Sequence, residues 1–289
     1  MIGKITLFFL FLLLIWGNLV SGVGAGLGCP DWPLCHGSVV PPYRWDIYME
    51  FTHRVIGGVA SIFLVYLSYK RFRSYKGWTK LIPILIVFLL AFQIVLGGIV
   101  VLLEIPVDIT TFHFANAIII FSLTLYIVFF DGVTVKPVFD IGGYNGVFFF
   151  LAVLIFFQAV LGAYVRHSDS GLACPDFPKC LGYWIPPQLS GMILNHFAHR
   201  VAAYAITLVV LGFFVSSWFV EGFRRYRAAL GITLGLIIIQ IILGVGIVHT
   251  KLHFSAAALH LSVALLILSL LLYTWFLGMR RIYAGSHRA

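Results

Sequence analysis

Residues 26–35 read Gly-Leu-Gly-Cys-Pro-Asp-Trp-Pro-Leu-Cys, and residues 171–180 read Gly-Leu-Ala-Cys-Pro-Asp-Phe-Pro-Lys-Cys. Paired prolines follow each copy, Pro41-Pro42 and Pro186-Pro187, and then come Thr52-His53-Arg54-Val55 and Ala198-His199-Arg200-Val201. Further along, Gln93-Ile-Val-Leu-Gly answers Gln240-Ile-Ile-Leu-Gly, and His113 answers His260. The offset is 145 from Cys29 to Cys174, 146 from His53 to His199 and 147 from His113 to His260. Landmarks in one order at so steady a spacing mark a duplication.

Around these landmarks the chain is apolar. Of 289 residues 61% are hydrophobic and 10% charged, so lipid must be the solvent for most of it. A helix needs ~20 mostly apolar residues to cross the hydrocarbon core. Eight such runs are predicted, at 5–24, 47–69, 81–103, 110–131, 146–166, 191–220, 228–250 and 255–278. Backbone groups in lipid must be satisfied within a segment, which makes these runs helices, and the alternation of a β-barrel is absent. Each half holds four runs, an even number, so both copies insert with the same orientation as a parallel repeat. The predicted fold is an all-α integral membrane protein, its eight transmembrane helices forming two tandem parallel four-helix bundles. The halves are residues 1–140 and 141–289. The stretch Asp131 to Asn145, with Lys136, Pro137, Asp140 and a Gly-Gly pair, reads as the connector.

The net charge of +9 raises nucleic acid as a partner, but its distribution excludes that class. Lys4, the cluster Lys70, Arg71, Arg73, Lys76 and Lys80, then Lys136, Arg224, Arg225, Arg227, Arg280, Arg281 and Arg288 all fall on one side of the layout. The other side has chiefly Arg44, Lys179 and Lys251. This positive-inside pattern places both termini in the cytoplasm and the cysteine loops outside. The first run also reads as a cleaved signal peptide, with Lys4 ahead of it and small residues from Ser21 to Ala25. Its counterpart opens the second half in mid-chain, which argues for retention.

Ionisable groups within spanning helices are costly and mark function by default. His53, His113, His199 and His260 each lie near the outer start of a predicted helix, at similar depth. Two per half, on alternate helices of a bundle, suit axial ligation of haem iron. The plainer reading is an interfacial histidine bonded to water or backbone, and His36, His167, His249, His253 and His287 are read that way. Zinc is disfavoured because no compact cluster has its ligand spacing. Arg54 and Arg200 directly follow two of the histidines; they suit either haem propionates or snorkelling to headgroups. Gly57, Gly58, Gly97, Gly98 and Gly244 read as close helix packing rather than as site residues.

The four cysteines form two Cys-x5-Cys pairs in loops placed outside, where disulfides persist. Cys29–Cys35 and Cys174–Cys180 are the expected bonds. The second reads as a structural clip; for the first, redox exchange with a thiol partner stays open.

Together, Glu50-x-x-His53-Arg54, the duplicated Cys-Pro-Asp-aromatic-Pro-x-Cys loops, and His113 and His260 resemble the haem A synthase family over nearly the whole chain. That resemblance implies a cell-membrane oxidoreductase that converts the C8 methyl of haem O to a formyl group, making haem A for cytochrome oxidase. It implies a haem B cofactor between His199 and His260, substrate haem O at His53 and His113, and exchange of reducing equivalents between the haems. Glu50 is then the catalytic acid–base. The implied partners are a haem O synthase and an unidentified electron donor. The oligomeric state stays open, a homo-oligomer included. His196 stands where the first half has Glu50, a departure to which the family assigns no role. The competing reading is a di-haem electron carrier of the cytochrome b type, which has little use for a carboxylate beside one haem only. A transporter is disfavoured, since no proline breaks a helix at mid-membrane.

Overall fold

A computed structural model describes residues 1–131 and 141–286, with side chains as far as Met279. Lys136, Pro137 and Asp140 of the expected connector, and His287 and Arg288, lie outside the described residues, as do the side chains of Arg280 and Arg281. Among the described residues, eight helices are long and apolar enough to span a membrane. They are α1 (Ile2–Gly22), α2 (Trp45–Ser74), α3 (Leu81–Leu102), α4 (Val107–Phe129), α5 (Gly143–His167), α6 (Gly191–Phe219), α8 (Arg227–His249) and α9 (Phe254–Ser286). A single turn, α7 (Glu221–Arg224), joins α6 to α8.

The chain falls into two compact units, Met1–Val138 and Phe139–Ala289. In the first, α1 packs on α2, α2 on α3, α3 on α4 and α4 back on α1, closing a four-helix ring. In the second, α5, α6, α8 and α9 close the same ring in the same order. Connections this short leave consecutive helices antiparallel.

Three helices outrun their predicted lengths: α9, predicted at 255–278, runs on to Ser286, and α2 and α5 are longer as well. The apolar run of α2 fades before Lys70, yet the helix continues to Ser74 because Arg71 turns back into the bundle. Arg71 is buried; its Nε donates to the Ile127 carbonyl at 2.7 Å and its Nη1 pairs with Asp131 at 2.6 Å. α5 begins at Gly143, inside the expected connector, and takes in the buried Asn145.

Packing is uneven along the second bundle. In the second unit, Phe148 and Leu151 of α5, Val210 of α6, Leu230 of α8 and Leu265, Ile267 and Leu271 of α9 are fully buried. All lie towards the end remote from the cysteine loop. Nearer that loop, residues 156–164 of α5, 197–205 of α6 and 238–249 of α8 include no buried side chain. Nine residues of helix span about 13 Å. Over that depth even the inward-facing side chains keep accessible surface, and this is the level of the histidines.

Candidate functional site

The cysteine loops build the outer wall of each site. Both disulfides are formed, Cys29–Cys35 and Cys174–Cys180, and all four sulfurs are buried. In the first loop Cys35 and Ser38 exchange backbone hydrogen bonds across His36 and Gly37, whose φ values are 53° and 71°. In the second, Cys180 and Tyr183 do the same across Leu181 and Gly182, at 55° and 81°. Two successive left-handed residues make a tight hairpin turn. The aspartate of each Cys-Pro-Asp motif holds that turn: Asp31 accepts from the backbone N–H of His36 at 2.6 Å and of Gly37 at 2.8 Å. Asp176 accepts from Leu181 and Gly182 at the same two distances. The Gly37 amide holds the Asp31 carboxyl below its ordinary range, and the Gly182 amide does so for Asp176.

The helix connections brace these loops. Glu104 and Ile105, and in the second half Lys251 and Leu252, are left-handed at φ 58°, 61°, 52° and 67°. Such backbone is unfavourable for branched side chains and persists where contacts over-determine it. Here it drives Ile105 onto Gly26 and Leu252 onto Gly171; a Cβ on those glycines would stand 2.9 and 2.8 Å from the apolar tips.

Arg54 and Arg200 bind the loops to the helices that carry His53 and His199. Arg54 Nη1 donates to the carbonyls of Asp31 and Leu34 at 2.9 and 2.8 Å, and Nη2 to that of Cys29 at 3.0 Å. Arg200 makes the same three bonds, to Asp176, Lys179 and Cys174, at 2.5, 3.0 and 2.6 Å. The fourth donor, Nε, separates the halves. In Arg54 it meets the buried Glu50 carboxylate at 3.0 Å, and in Arg200 it meets His196 Nε2 at 3.1 Å. His196 therefore serves as the neutral acceptor that replaces Glu50, with its Nδ1 3.3 Å from the Cys174 amide. A guanidinium has five N–H groups, so four engaged here leave one for any propionate.

Each histidine lies against a glycine of the neighbouring helix. A Cβ on Gly17 would come within 2.9 Å of His53 Cε1, and one on Gly162 within 2.9 Å of His199 Cε1. For Gly97 and His113 the distance is 3.1 Å, and for Gly244 and His260 it is 3.2 Å. Gly97 and Gly244 are helix-packing glycines as expected, with the imidazoles as what they pack. Gly17 and Gly162 were not singled out in the sequence; their separation of 145, that of the cysteines, was the available signal.

Amide side chains complete the layer. In the first half Asn116 Nδ2 donates to the Leu89 carbonyl at 3.0 Å and to Gln93 Oε1 at 2.7 Å. That turns Gln93 Nε2 towards His113 Nε2, 3.2 Å away. In the second half Gln158 Nε2 reaches the His199 carbonyl at 2.9 Å and His199 Nδ1 at 3.1 Å. Gln158 aligns with Leu13, and Asn116 with Val263, so neither arrangement is shared between the halves.

These residues suit haem. His53 and His260 each bury a ring nitrogen, Nδ1, without a hydrogen-bond partner among the described residues. A ring whose Nδ1 has no protein partner is not held as a hydrogen-bonded core residue would be, which suits a ring fixed through its other nitrogen by a ligand. At this level the side chains of α5, α6 and α8 keep accessible surface and are mostly apolar, which suits an apolar macrocycle.

The sequence profile of the COX15-CtaA family, described as cytochrome oxidase assembly protein, matches residues 43–272. The chain is 31% identical to the "Heme A synthase" of Halalkalibacterium halodurans over 284 residues, covering 94% of each. It is 31% identical to the "Heme A synthase" of Shouchella clausii over 261 residues, 86% of each, and 31% to that of Alkalihalophilus pseudofirmus over 283 residues, 93% of each.

Proposed function

The chain belongs to the COX15-CtaA family of cytochrome oxidase assembly proteins, and on that premise we propose that it is a multi-pass membrane oxidoreductase that makes haem A from haem O. The C8 methyl of haem O is oxidised to an alcohol and then to a hydrated aldehyde, which loses water to leave the formyl group. The first half binds haem O through His53 and His113. The second half holds haem B through His199 and His260, and bound there haem B supplies an iron centre for electron transfer. A haem O synthase supplies the substrate, and an electron-transfer partner works in the same membrane. Both termini face the cytoplasm, with the cysteine loops on the opposite side.

One observation carries the reading: the group one turn before the first histidine of each pair differs, Glu50 beside His53 and His196 beside His199. Glu50 stands three residues before His53 on one helix face, and only one of its oxygens is tied to Arg54. In this reading the other takes or gives a proton as the methyl carbon loses hydrogen, which is general acid–base work. His196, its counterpart, accepts from Arg200 and offers no such oxygen. A di-haem electron carrier has no use for that difference.

Charge near the loops also favours this division. At that end the first half has Asp31, Asp46, Glu50, Glu104 and Asp108 against Arg44 and Arg54. The second has Asp169 and Asp176 against Arg166, Lys179, Arg200 and Lys251. Haem propionates are anionic, so the second half retains a haem more readily than the first. The test is to express the chain with a haem O synthase in cells that lack haem A, and to separate the extracted haems by chromatography. Haem A should appear with the native chain and not with His53→Ala. Haem O alone in both would refute the proposal.

A further inference from the structure

The two glutamines beside the histidines approach different ring nitrogens. Gln158 meets His199 at Nδ1 and at the same residue's carbonyl. Gln93 meets His113 at Nε2, the nitrogen a haem iron takes. Gln93 is not free to swing, because the buried Asn116 pins its oxygen at 2.7 Å while also holding the Leu89 carbonyl. With Asn116 donating to Oε1, the amide must present N–H to His113, and the imidazole lone pair on Nε2 is taken. In the second half Gln240 aligns with Gln93, but Val263 stands where Asn116 would be. Gln240 Oε1 is accordingly buried with no partner among the described residues, and it is the backbone of Gln240 that His260 meets.

We infer that the Asn116–Gln93 pair competes with haem iron for His113 Nε2, and that this competition makes the haem of the first half exchangeable. The inference rests on the reading that His113 ligates haem. It explains how one scaffold, used twice, keeps one haem and passes the other on. A substrate must leave as product, and each departure exposes His113. The pinned amide then replaces the iron, so the imidazole is not left buried and unsatisfied. The second half has no pinned amide in front of His260, because Val263 stands in place of Asn116, and His260 meets the Gln240 backbone instead. A purely structural role for the pair, as polar glue between α3 and α4, predicts no effect on haem affinity.

The test uses the full-length protein purified in detergent and loaded with haem B at both sites, with apomyoglobin as the competing acceptor. Equilibrium partition, followed by absorbance, gives two affinities. His113→Ala should abolish the weaker one, which assigns it to the first half. Gln93→Leu should then tighten the weaker site about three- to tenfold, the effect of removing one neutral hydrogen bond from the haem-free state. Asn116→Val, which copies the second half, should tighten it by a smaller factor in the same direction, and Gln240→Leu should change neither affinity. If Gln93→Leu fails to fold, shown by loss of the stronger site, Asn116→Val decides alone. An unchanged or weaker first site in the folded variants overturns the inference, as does equal tightening of the stronger site by Gln240→Leu. If His113→Ala leaves both affinities intact, the assignment of His113 as a haem ligand fails instead.

Discussion

In the first half Arg54 closes its set of bonds on a carboxylate; in the second, Arg200 closes the same set on an imidazole. Everything else in the clamp is shared, down to the three carbonyls of the loop. A buried arginine needs an acceptor at Nε, and either group satisfies it, so structure alone does not require Glu50. What the carboxylate adds is a second oxygen and an exchangeable proton. Comparison of the halves thus separates what holds the loop from what is free to do chemistry.

The sharpest way to break the comparison is to remove one ligand at a time. His199→Ala or His260→Ala should abolish the low-spin haem B spectrum of the purified protein, and His53→Ala or His113→Ala should leave that haem in place. Equal haem B loss from all four variants would mean the halves are not specialised. Next in size is Glu50→Gln, which still accepts from Arg54 but cannot carry a proton. Haem A formed with a haem O synthase present should fall by about 10²–10⁴, the usual worth of acid–base catalysis. Haem B content and loop integrity should not change. Near-normal haem A would return Glu50 to the role His196 plays.

A smaller effect is expected from the glycines. In Gly162→Ala the new Cβ meets His199 Cε1, and the ring must leave its rotamer, weakening haem B retention up to about tenfold. Gly17→Ala should spare haem B and weaken only the first site; haem titration of each variant distinguishes them. The smallest effect, and one shared by both halves, is that of acid on the loops. The amides of Gly37 and Gly182 lower the carboxyl pKa of Asp31 and Asp176 in the folded loop. A lowered folded value means that the stabilisation is complete above the ordinary carboxylate pKa of about 3.9 and lost as pH falls through the folded value. Disulfide reduction by a phosphine should therefore show no loop-opening contribution from pH 8 to pH 5 and accelerate only in stronger acid. Asp31→Asn should reduce the acid response at Cys29–Cys35 and leave that at Cys174–Cys180.

Much of this was legible in the sequence because duplication repeats its landmarks. The eight spans, the two halves and the four histidines follow from hydropathy and from matched positions such as His53 and His199. The loop disulfides followed from compartment and spacing. The arginine clamps did not: their acceptors are backbone carbonyls, which no side-chain pattern records, so Arg54 and Arg200 read as propionate binders or headgroup anchors. The run-on of α2 was hidden because Arg71 looks like an exposed loop cation until Ile127 and Asp131 are brought to it. His196 had no reading until its neighbour Arg200 turned towards it. The Asn116–Gln93 pair was invisible because its meaning lies in which nitrogen of His113 it reaches.

The unequal burial along the second bundle has a mechanical consequence. Opening free energies vary within a protein, and regions with few buried contacts open at least cost. The ends near Phe148, Leu230 and Leu271 are set to behave as the stiff base of the second bundle. The turns of α5, α6 and α8 that face the haem level have no core of their own, so their rigidity comes from the fastened loop above and from whatever occupies the interior. Amide hydrogen exchange should therefore grade along each helix, slow at the base and fast towards the histidines. Loading with haem should flatten that gradient from the open end downwards.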